Sequence, residues 1–178
     1  MGTYFEHTRN YLKADVASLK LMLRHKTKRH NIEGGLTIKS ERIRENSTEY
    51  EMRDSAGYSI PHTGNDLYMI YSLRANNRLK ATRVEGYIQD SYRFRSAGEH
   101  TMFTLNYGIR FSNWSFNKET IVSPRISLAV IPAFSHDVTL RFATGLYYQA
   151  PFYKELRDTS TVNGVTMAKL NRKIKSQR

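Results

Sequence analysis

Three consecutive segments between Phe103 and Leu146 alternate strictly between apolar and polar residues. Successive side chains of a β-strand point to opposite faces, so this pattern predicts strands with one apolar and one polar face. The apolar positions are Phe103, Leu105, Tyr107, Ile109 and Phe111, then Ile126, Leu128 and Val130, then Val138, Leu140, Phe142 and Leu146. The polar positions include Asn106, Arg110, Arg125 and Arg141. The apolar face requires contact with either a protein core or lipid.

Alternation also begins near the N-terminus. Residues 18–23 alternate, which favours a strand, although Val16, Leu19 and Leu23 also fit helical spacing. A basic turn, Lys26–His30, then precedes a second alternating run. Adjacent alternating runs joined by a short polar turn predict a β-hairpin.

The middle of the chain continues the pattern with interruptions. Further strands are predicted over 47–52, 67–73 and 83–95. Turn-forming residues indicate connections at 54–66, at Asn76-Asn77 and at 96–99. Asp90 falls on the apolar side of its strand, and alternation offers no explanation for it.

The pattern changes after Leu146, where an aromatic-rich stretch is interrupted by Pro151. Asn163-Gly164, between Val162 and Val165, predicts a two-residue hairpin turn. Eight or nine strands with short links predict an all-β fold, an antiparallel up-and-down meander. No low-complexity linker divides residues 1–178, so we expect a single segment.

Composition helps to decide whether the predicted apolar face contacts a protein core or lipid. No run approaches the roughly 18 to 20 apolar residues of a spanning helix, whereas barrel strands spread their apolar residues over alternate positions. The 178 residues carry a formal charge of +12 and include 12 tyrosines. The basic residues are expected to be spread over many strands, which favours a wet lumen or lipid headgroups over nucleic acid. The basic run 169–178 is expected to be a solvated end.

The sequence shows no recognisable arrangement of catalytic residues. The chain has no cysteine, its six histidines are scattered, and no His-Glu-x-x-His motif or phosphate-binding glycine loop occurs. We therefore expect no catalytic, cofactor or metal site, and the sequence does not indicate an enzyme.

Four longer phrases go beyond the alternating pattern: 50–61, 86–94, 114–118 with 122–125, and 140–158. Together they resemble the barrel portion of TonB-dependent outer-membrane receptors. Within the second, Gly86-Tyr-Ile-Gln-Asp90 is similar to the strand that these receptors commonly carry as a tyrosine–glutamine–aspartate motif. The resemblance implies a barrel of about 22 strands with a plugged lumen, located in the outer membrane of a Gram-negative cell.

Membership of such a family implies import of a scarce nutrient, driven by the inner-membrane TonB complex. The chain has too few predicted strands to close that barrel, and neither a plug-like region nor a TonB box is found. We therefore expect a piece of transmembrane β-barrel wall, whose remaining strands and plug belong to a parent receptor. Its apolar positions, Phe103 to Phe142 as given above, would face lipid, while Asn106, Arg110, Arg125 and Arg141 would face the lumen.

Two other functions remain open. The chain is compatible with a self-contained small outer-membrane barrel, porin-like or structural, of about eight strands. It is also compatible with a soluble basic β-protein that binds nucleic acid through tyrosines and arginines. The spread of aromatic and basic residues over many strands argues against nucleic acid, and no sequence feature identifies a nutrient ligand.

Overall fold

The structure, a computed structural model, describes residues 4–53, 67–96, 98, 100–134 and 137–177. It contains eight strands and one short 3₁₀-helix. The strands are β1 (Tyr4–Lys26), β2 (His30–Arg53), β3 (Tyr68–Arg95), β4 (Met102–Trp114), β5 (Glu119–Ile131), β6 (Leu140–Gly145), β7 (Arg157–Val162) and β8 (Val165–Leu170), and the 3₁₀-helix is Tyr153–Leu156. No helix in the described part of the chain is long and apolar enough to cross a membrane.

Strands β1 to β6 follow one another in spatial order within an eight-stranded sheet. The pairs β3–β4, β4–β5 and β5–β6 are antiparallel, so the predicted all-β antiparallel meander is confirmed. One pairing departs from a simple meander: β8 forms an antiparallel hairpin with β7 and pairs in parallel with β3 over Leu73–Ala75. The strand interpretation of the N-terminal segment is also confirmed, because β1 is a continuous strand.

The chain folds into two compact units. The first unit is Met1–Val16, Glu41–Lys80 and Pro151–Ile174, and the second is Ala17–Ser40, Ala81–Ala150 and Lys175–Arg178. The first unit therefore holds the early part of β1, the late part of β2, the early part of β3 and the β7–β8 hairpin. The second unit holds the rest of those three strands together with β4, β5 and β6.

The first unit contains a small core beside the β3–β8 pair. Leu73 and Ala75 of β3 pack with Ala168 of β8, and these three residues are buried. Leu79 and Leu156 have the largest fully buried side chains among the described residues. Burial along β3 alternates from Leu73 to Lys80, so one side of the strand is packed and the other is exposed.

The predicted turn at Asn76-Asn77 is wrong, because both residues lie inside β3. Asn77 is buried, and its amide donates hydrogen bonds to Glu45 Oε2 (2.8 Å) and to the carbonyl oxygen of Ala168 (3.2 Å). Hydrogen bonds to neighbouring strands thus satisfy the side-chain amide of Asn77, a residue type that otherwise favours a turn. Tertiary contacts outweigh the local preference of asparagine here.

Two other connections match the prediction. The residues between Lys26 and His30 link β1 to β2. Asn163 and Gly164 both have positive φ, 50° and 76°, as a type I′ hairpin turn requires. The turn residues predicted over 54–66, and two of those predicted over 96–99 (Ala97 and Glu99), lie outside the described residues.

The last predicted alternating segment and the basic run 169–178 need correction. Strand β6 is Leu140–Gly145, so Val138 and Leu146 of the predicted segment both lie outside it. The basic run is not simply a solvated end, because Ser176 donates a 2.7 Å hydrogen bond to Glu119 and Gln177 forms a β-bridge with Gln149. These backbone and side-chain contacts anchor the end of the run.

Candidate membrane-facing surface

The pairing register places the apolar residues of β4, β5 and β6 on one common face of the second unit. Leu128 lies at its centre, paired with Leu105 of β4 and with Phe142 of β6. The remaining apolar pairs on this face are Phe103 with Val130, Tyr107 with Ile126, Ile109 with Pro124, Phe111 with Val122, and Leu140 with Val130. Ile109 continues the face towards β3, where it pairs with Ile88. Because paired residues share a face, this apolar face is continuous across four strands.

The opposite face carries the four residues predicted to be polar. Asn106 pairs with Ser127, and its amide donates a 3.2 Å hydrogen bond to the Ser127 hydroxyl. The other pairs on this polar face are Arg110 with Ser123, Arg125 with Gly108 and Gly145, and Arg141 with Ala129. Arg125 and Arg141 therefore have small neighbours across the strands, whereas Arg110 lies between Ser123 of β5 and Tyr87 of β3.

Large side chains of the apolar face are open to solvent in this chain. Ile88 is 57% exposed and Phe142 is 62% exposed. These exposed fractions are far above those of residues in a packed protein core. Leu19, Leu21 and Leu23 of β1 are exposed as well. An extended, solvent-exposed apolar face of this size marks a surface that binds another apolar phase.

Asp90 is an acidic residue on the apolar face of β3, and it is buried by its neighbours. Its carboxylate contacts His30 Nδ1 at 2.6 Å, and it accepts hydrogen bonds from the Tyr107 hydroxyl (2.9 Å) and the Asn31 backbone N–H (3.2 Å). Three partners from β2 and β4 therefore compensate the desolvation of this carboxylate. Alternation along β3 gave no sign of them, because all three lie on other strands.

Aromatic rings line the same end of the apolar face. His30 stacks on Tyr92, Tyr92 on Phe94 and Phe94 on Phe103, with ring centroids 4.6, 5.3 and 5.0 Å apart. This aromatic ladder crosses β2, β3 and β4 beside Asp90. Amphipathic aromatic rings at the edge of an apolar band are typical of a membrane–water interface.

Charged residues of the polar face form local pairs. Arg24 donates to Glu33, at 2.6 Å from Nη2, and the Tyr87 hydroxyl donates to the same carboxylate at 2.7 Å. Lys39 pairs with Glu85 at 2.8 Å. The guanidinium carbon of Arg125 lies 4.6 Å from the centroid of the Tyr147 ring, a cation–π distance. Such a polar, charge-paired face suits a wet environment.

The first unit contains a buried carboxylate that the sequence pattern did not indicate. Glu45 accepts hydrogen bonds from Asn77 (2.8 Å) and from the Tyr153 hydroxyl (2.9 Å), and Arg157 lies 3.2 Å away. Burial, followed by the hydrogen bond to Glu45, raises the pKa of Tyr153 well above its usual value near 10. These contacts fasten the segment around Tyr153 and Arg157 onto β2 and β3, and only distant sequence positions contribute to them.

No group of three or more potential metal-ligating side chains occurs among the residues that the structure describes.

Comparisons with known proteins provide evidence of a different kind. Curated proteins and solved structures give no match. A family model described as TonB dependent receptor-like, beta-barrel, matches residues 2–178. Nearly the whole chain is matched, and so it belongs to the TonB-dependent receptor-like β-barrel family, a family of transporters.

Proposed function

We propose that this chain forms part of the barrel wall of an outer-membrane receptor that imports a scarce nutrient by TonB-coupled transport. The observation that carries this proposal is the continuous, exposed apolar face of the second unit, bordered by the aromatic ladder. Lipid is the phase that such a face fits, and family membership supports the barrel context. The remaining strands, the plug and the TonB complex would be partners through the parent receptor.

The two faces have distinct roles in this proposal. The apolar face, represented by Leu105, Leu128 and Phe142, contacts the hydrocarbon of the outer membrane. The polar face, with Asn106, Arg110, Arg125 and Arg141, lines the water-filled interior. Two observations support this orientation: the exposure of the apolar residues and the small residues that lie across from Arg125 and Arg141.

Single cysteines test which face contacts lipid, since the natural sequence has no cysteine. Leu128→Cys and its neighbour Ser127→Cys would each be labelled with an environment-sensitive fluorophore in the protein reconstituted into vesicles. We expect bromine-labelled lipid to quench the probe at 128 strongly and the probe at 127 weakly. Equal quenching at the two positions would reject the assigned orientation.

Cell fractionation tests the membrane context. We expect peptides such as 142–154 to occur in the outer-membrane fraction, within a band several times heavier than 20.7 kDa. A membrane band at the chain's own mass that shifts on boiling would instead support a small self-contained barrel. A soluble, salt-sensitive nucleic-acid complex would contradict both.

Import is tested by growth. A deletion strain would be supplied with iron chelates, cobalamin, oligosaccharides or peptides as limiting nutrients. We expect one class to support growth only when both this protein and TonB are present. Growth that depends on the protein but not on TonB would overturn the energy-coupled mechanism while leaving the membrane assignment intact.

A further inference from the structure

The polar face of the second unit contains a depression centred on Gly108, which we call the Gly108 depression. Glycine has no side chain to fill the floor, and Asn106 and Arg110 lie on either side of it along β4. Across the strands, Gly108 pairs with Gln89 of β3 and with Arg125 of β5. These four polar residues border a cavity of about 370 Å³. All of them belong to the second unit.

Two cations meet at the Gly108 depression without an acidic partner. Arg110 pairs with Ser123, which lies two positions from Arg125 on the same face of β5. Diagonal neighbours of this kind are about 7 to 8 Å apart, a distance that long side chains readily span. Both arginines are exposed, and within the described part of the chain neither forms a salt bridge. An anion that bridges the two guanidinium groups would therefore balance their charges.

The nearby carboxylates are engaged in other contacts. Glu33 accepts a 2.7 Å hydrogen bond from the Tyr87 hydroxyl, and Glu85 pairs with Lys39 at 2.8 Å. Asp90 follows Gln89 in β3, but it lies on the apolar face. The Gly108 depression is therefore a positively charged part of the polar face, and it favours a negatively charged ligand.

The ring of Tyr147 holds the Arg125 side chain in place. The guanidinium carbon lies 4.6 Å from the ring centroid, so the ring stacks against one flat side of the guanidinium group. The N–H groups lie in the guanidinium plane, and they donate no hydrogen bond to the described residues. This arrangement suits a carboxylate, whose two oxygens match two parallel N–H donors of arginine.

Neutral hydrogen-bonding groups border the rest of the Gly108 depression. The Asn106 amide donates a 3.2 Å hydrogen bond to the Ser127 hydroxyl, and Gln89 is exposed beside Gly108. Amide groups and hydroxyls offer both donors and acceptors, as the hydroxyl groups of a sugar do. The cavity volume lies near the lower end of the range for small-ligand sites, about 300 to 1,000 Å³, which suits roughly one or two sugar rings.

We propose that the Gly108 depression binds an acidic saccharide, a sugar that carries a carboxylate. Arg110 and Arg125 bind the carboxylate, while Asn106 and Gln89 bind neighbouring hydroxyl groups. The inference names the class of nutrient and rests on the proposed import function, in which the polar face lines the interior. Among the nutrients considered for import, it selects oligosaccharides that contain acidic sugars.

Binding of a defined acidic oligosaccharide tests the site. The protein purified from outer membranes would be titrated by calorimetry with oligogalacturonate and with its methyl ester, which has the same sugar rings without the charge. We expect the acid to bind about tenfold or more tightly than the ester. Arg125→Gln should weaken binding of the acid by about tenfold or more, because hydrogen bonds to a charged group are lost. It should change binding of the ester by less than about threefold.

Arg141→Gln is the matched control. Arg141 lies on the same polar face in β6 and pairs with Ala129, outside the Gly108 depression. Its substitution removes the same charge and should change binding of the acid by less than about threefold, because solvent and salt screen exposed charges that do not contact the ligand. The unfolding temperature of the Arg125 variant in detergent should stay close to that of the parent protein, because Arg125 forms no salt bridge within the described residues.

Several results would overturn the proposal. These are equal affinity for the acid and its ester, equal weakening by Arg125→Gln and Arg141→Gln, or tighter binding of an acidic peptide, a ferric hydroxycarboxylate or a phosphorylated sugar than of oligogalacturonate. If the protein is absent from the outer-membrane fraction, the proposed function fails and this inference fails with it. If TonB-dependent import of another nutrient is found and oligogalacturonate does not bind, only the acidic-saccharide site fails.

Discussion

Tyr107 and Asp90 lie opposite each other in β4 and β3, and the tyrosine hydroxyl donates a 2.9 Å hydrogen bond to Asp90 Oδ2. This pair explains how a carboxylate is accommodated on an apolar face. Tyr107→Phe should lower the free energy of unfolding by about 1.5 to 3 kcal/mol, because a hydrogen bond to a buried charge is lost. Urea unfolding of the protein in micelles measures the effect.

The control for this prediction is Tyr92→Phe. Tyr92 lies on the same face and stacks on His30 and Phe94, but its hydroxyl has no hydrogen bond to another described residue. The substitution keeps the ring and should change stability by less than about 0.5 kcal/mol. Equal losses at Tyr92 and Tyr107 would show that the Asp90 contact contributes nothing specific.

Leu105 and Asn106 are adjacent in β4 and point to opposite faces. Leu105→Arg places a charge on the face assigned to lipid and should cost roughly 2 to 4 kcal/mol near mid-bilayer. Asn106→Arg should cost much less, because its side chain joins other arginines on the polar face. Equilibrium unfolding from lipid vesicles compares the two, and equal destabilisation would show that the faces are assigned wrongly.

Gly86 and Phe111 are paired across β3 and β4, and a Cβ atom at Gly86 would overlap the Phe111 ring. Gly86→Ala should therefore displace the ring and cost about 1 to 3 kcal/mol, as overpacking does. In the Phe111→Ala background the same substitution should cost little. A double-mutant cycle measures the coupling, and additive losses would exclude a direct contact.

Tyr153 and Glu45 predict a pH dependence in the first unit. The raised pKa of Tyr153 means that the folded chain keeps the phenol proton at a pH where the unfolded chain loses it. The stabilisation is therefore complete below about pH 10 and is lost as the pH rises further.

Tyr153→Phe tests this pH dependence. It should lower stability at about pH 8 by about 1.5 to 3 kcal/mol, through the lost hydrogen bond to a buried charge. It should also make stability less dependent on pH above about 10 than in the parent protein. Unfolding midpoints at a series of pH values give both quantities, and parallel profiles of parent and variant would contradict the assignment.

Local patterns predicted strands β4 and β5 well. The alternation of apolar and polar residues in β4 and β5 agrees with the strand bounds and with the shared faces that the register defines. The Asn163-Gly164 turn was also predictable, because left-handed backbone favours these residue types. Such features depend on neighbours within a few positions along the chain, which a sequence displays directly.

The errors lie where distant residues decide the outcome. Asn76-Asn77 has the composition of a turn, yet Glu45 and Ala168 hold Asn77 within a strand. The start of the last alternating segment was misplaced for a related reason: the pairing of β6 with β5 begins only at Leu140. A local preference worth about 1 kcal/mol or less is readily outweighed by buried hydrogen bonds and packing.

The amino-acid order alone therefore determined the all-β class, the two faces of the later strands and the resemblance to a receptor family. Tertiary structure decided which residues meet across strands: the partners of Asp90, the burial of Glu45 and the parallel β3–β8 pair. The physical reason is that side-chain alternation is a property of one strand, whereas register is a relation between strands. A shift of one residue in register would move every side chain of a strand to the other face, so these contacts exist only in the folded sheet.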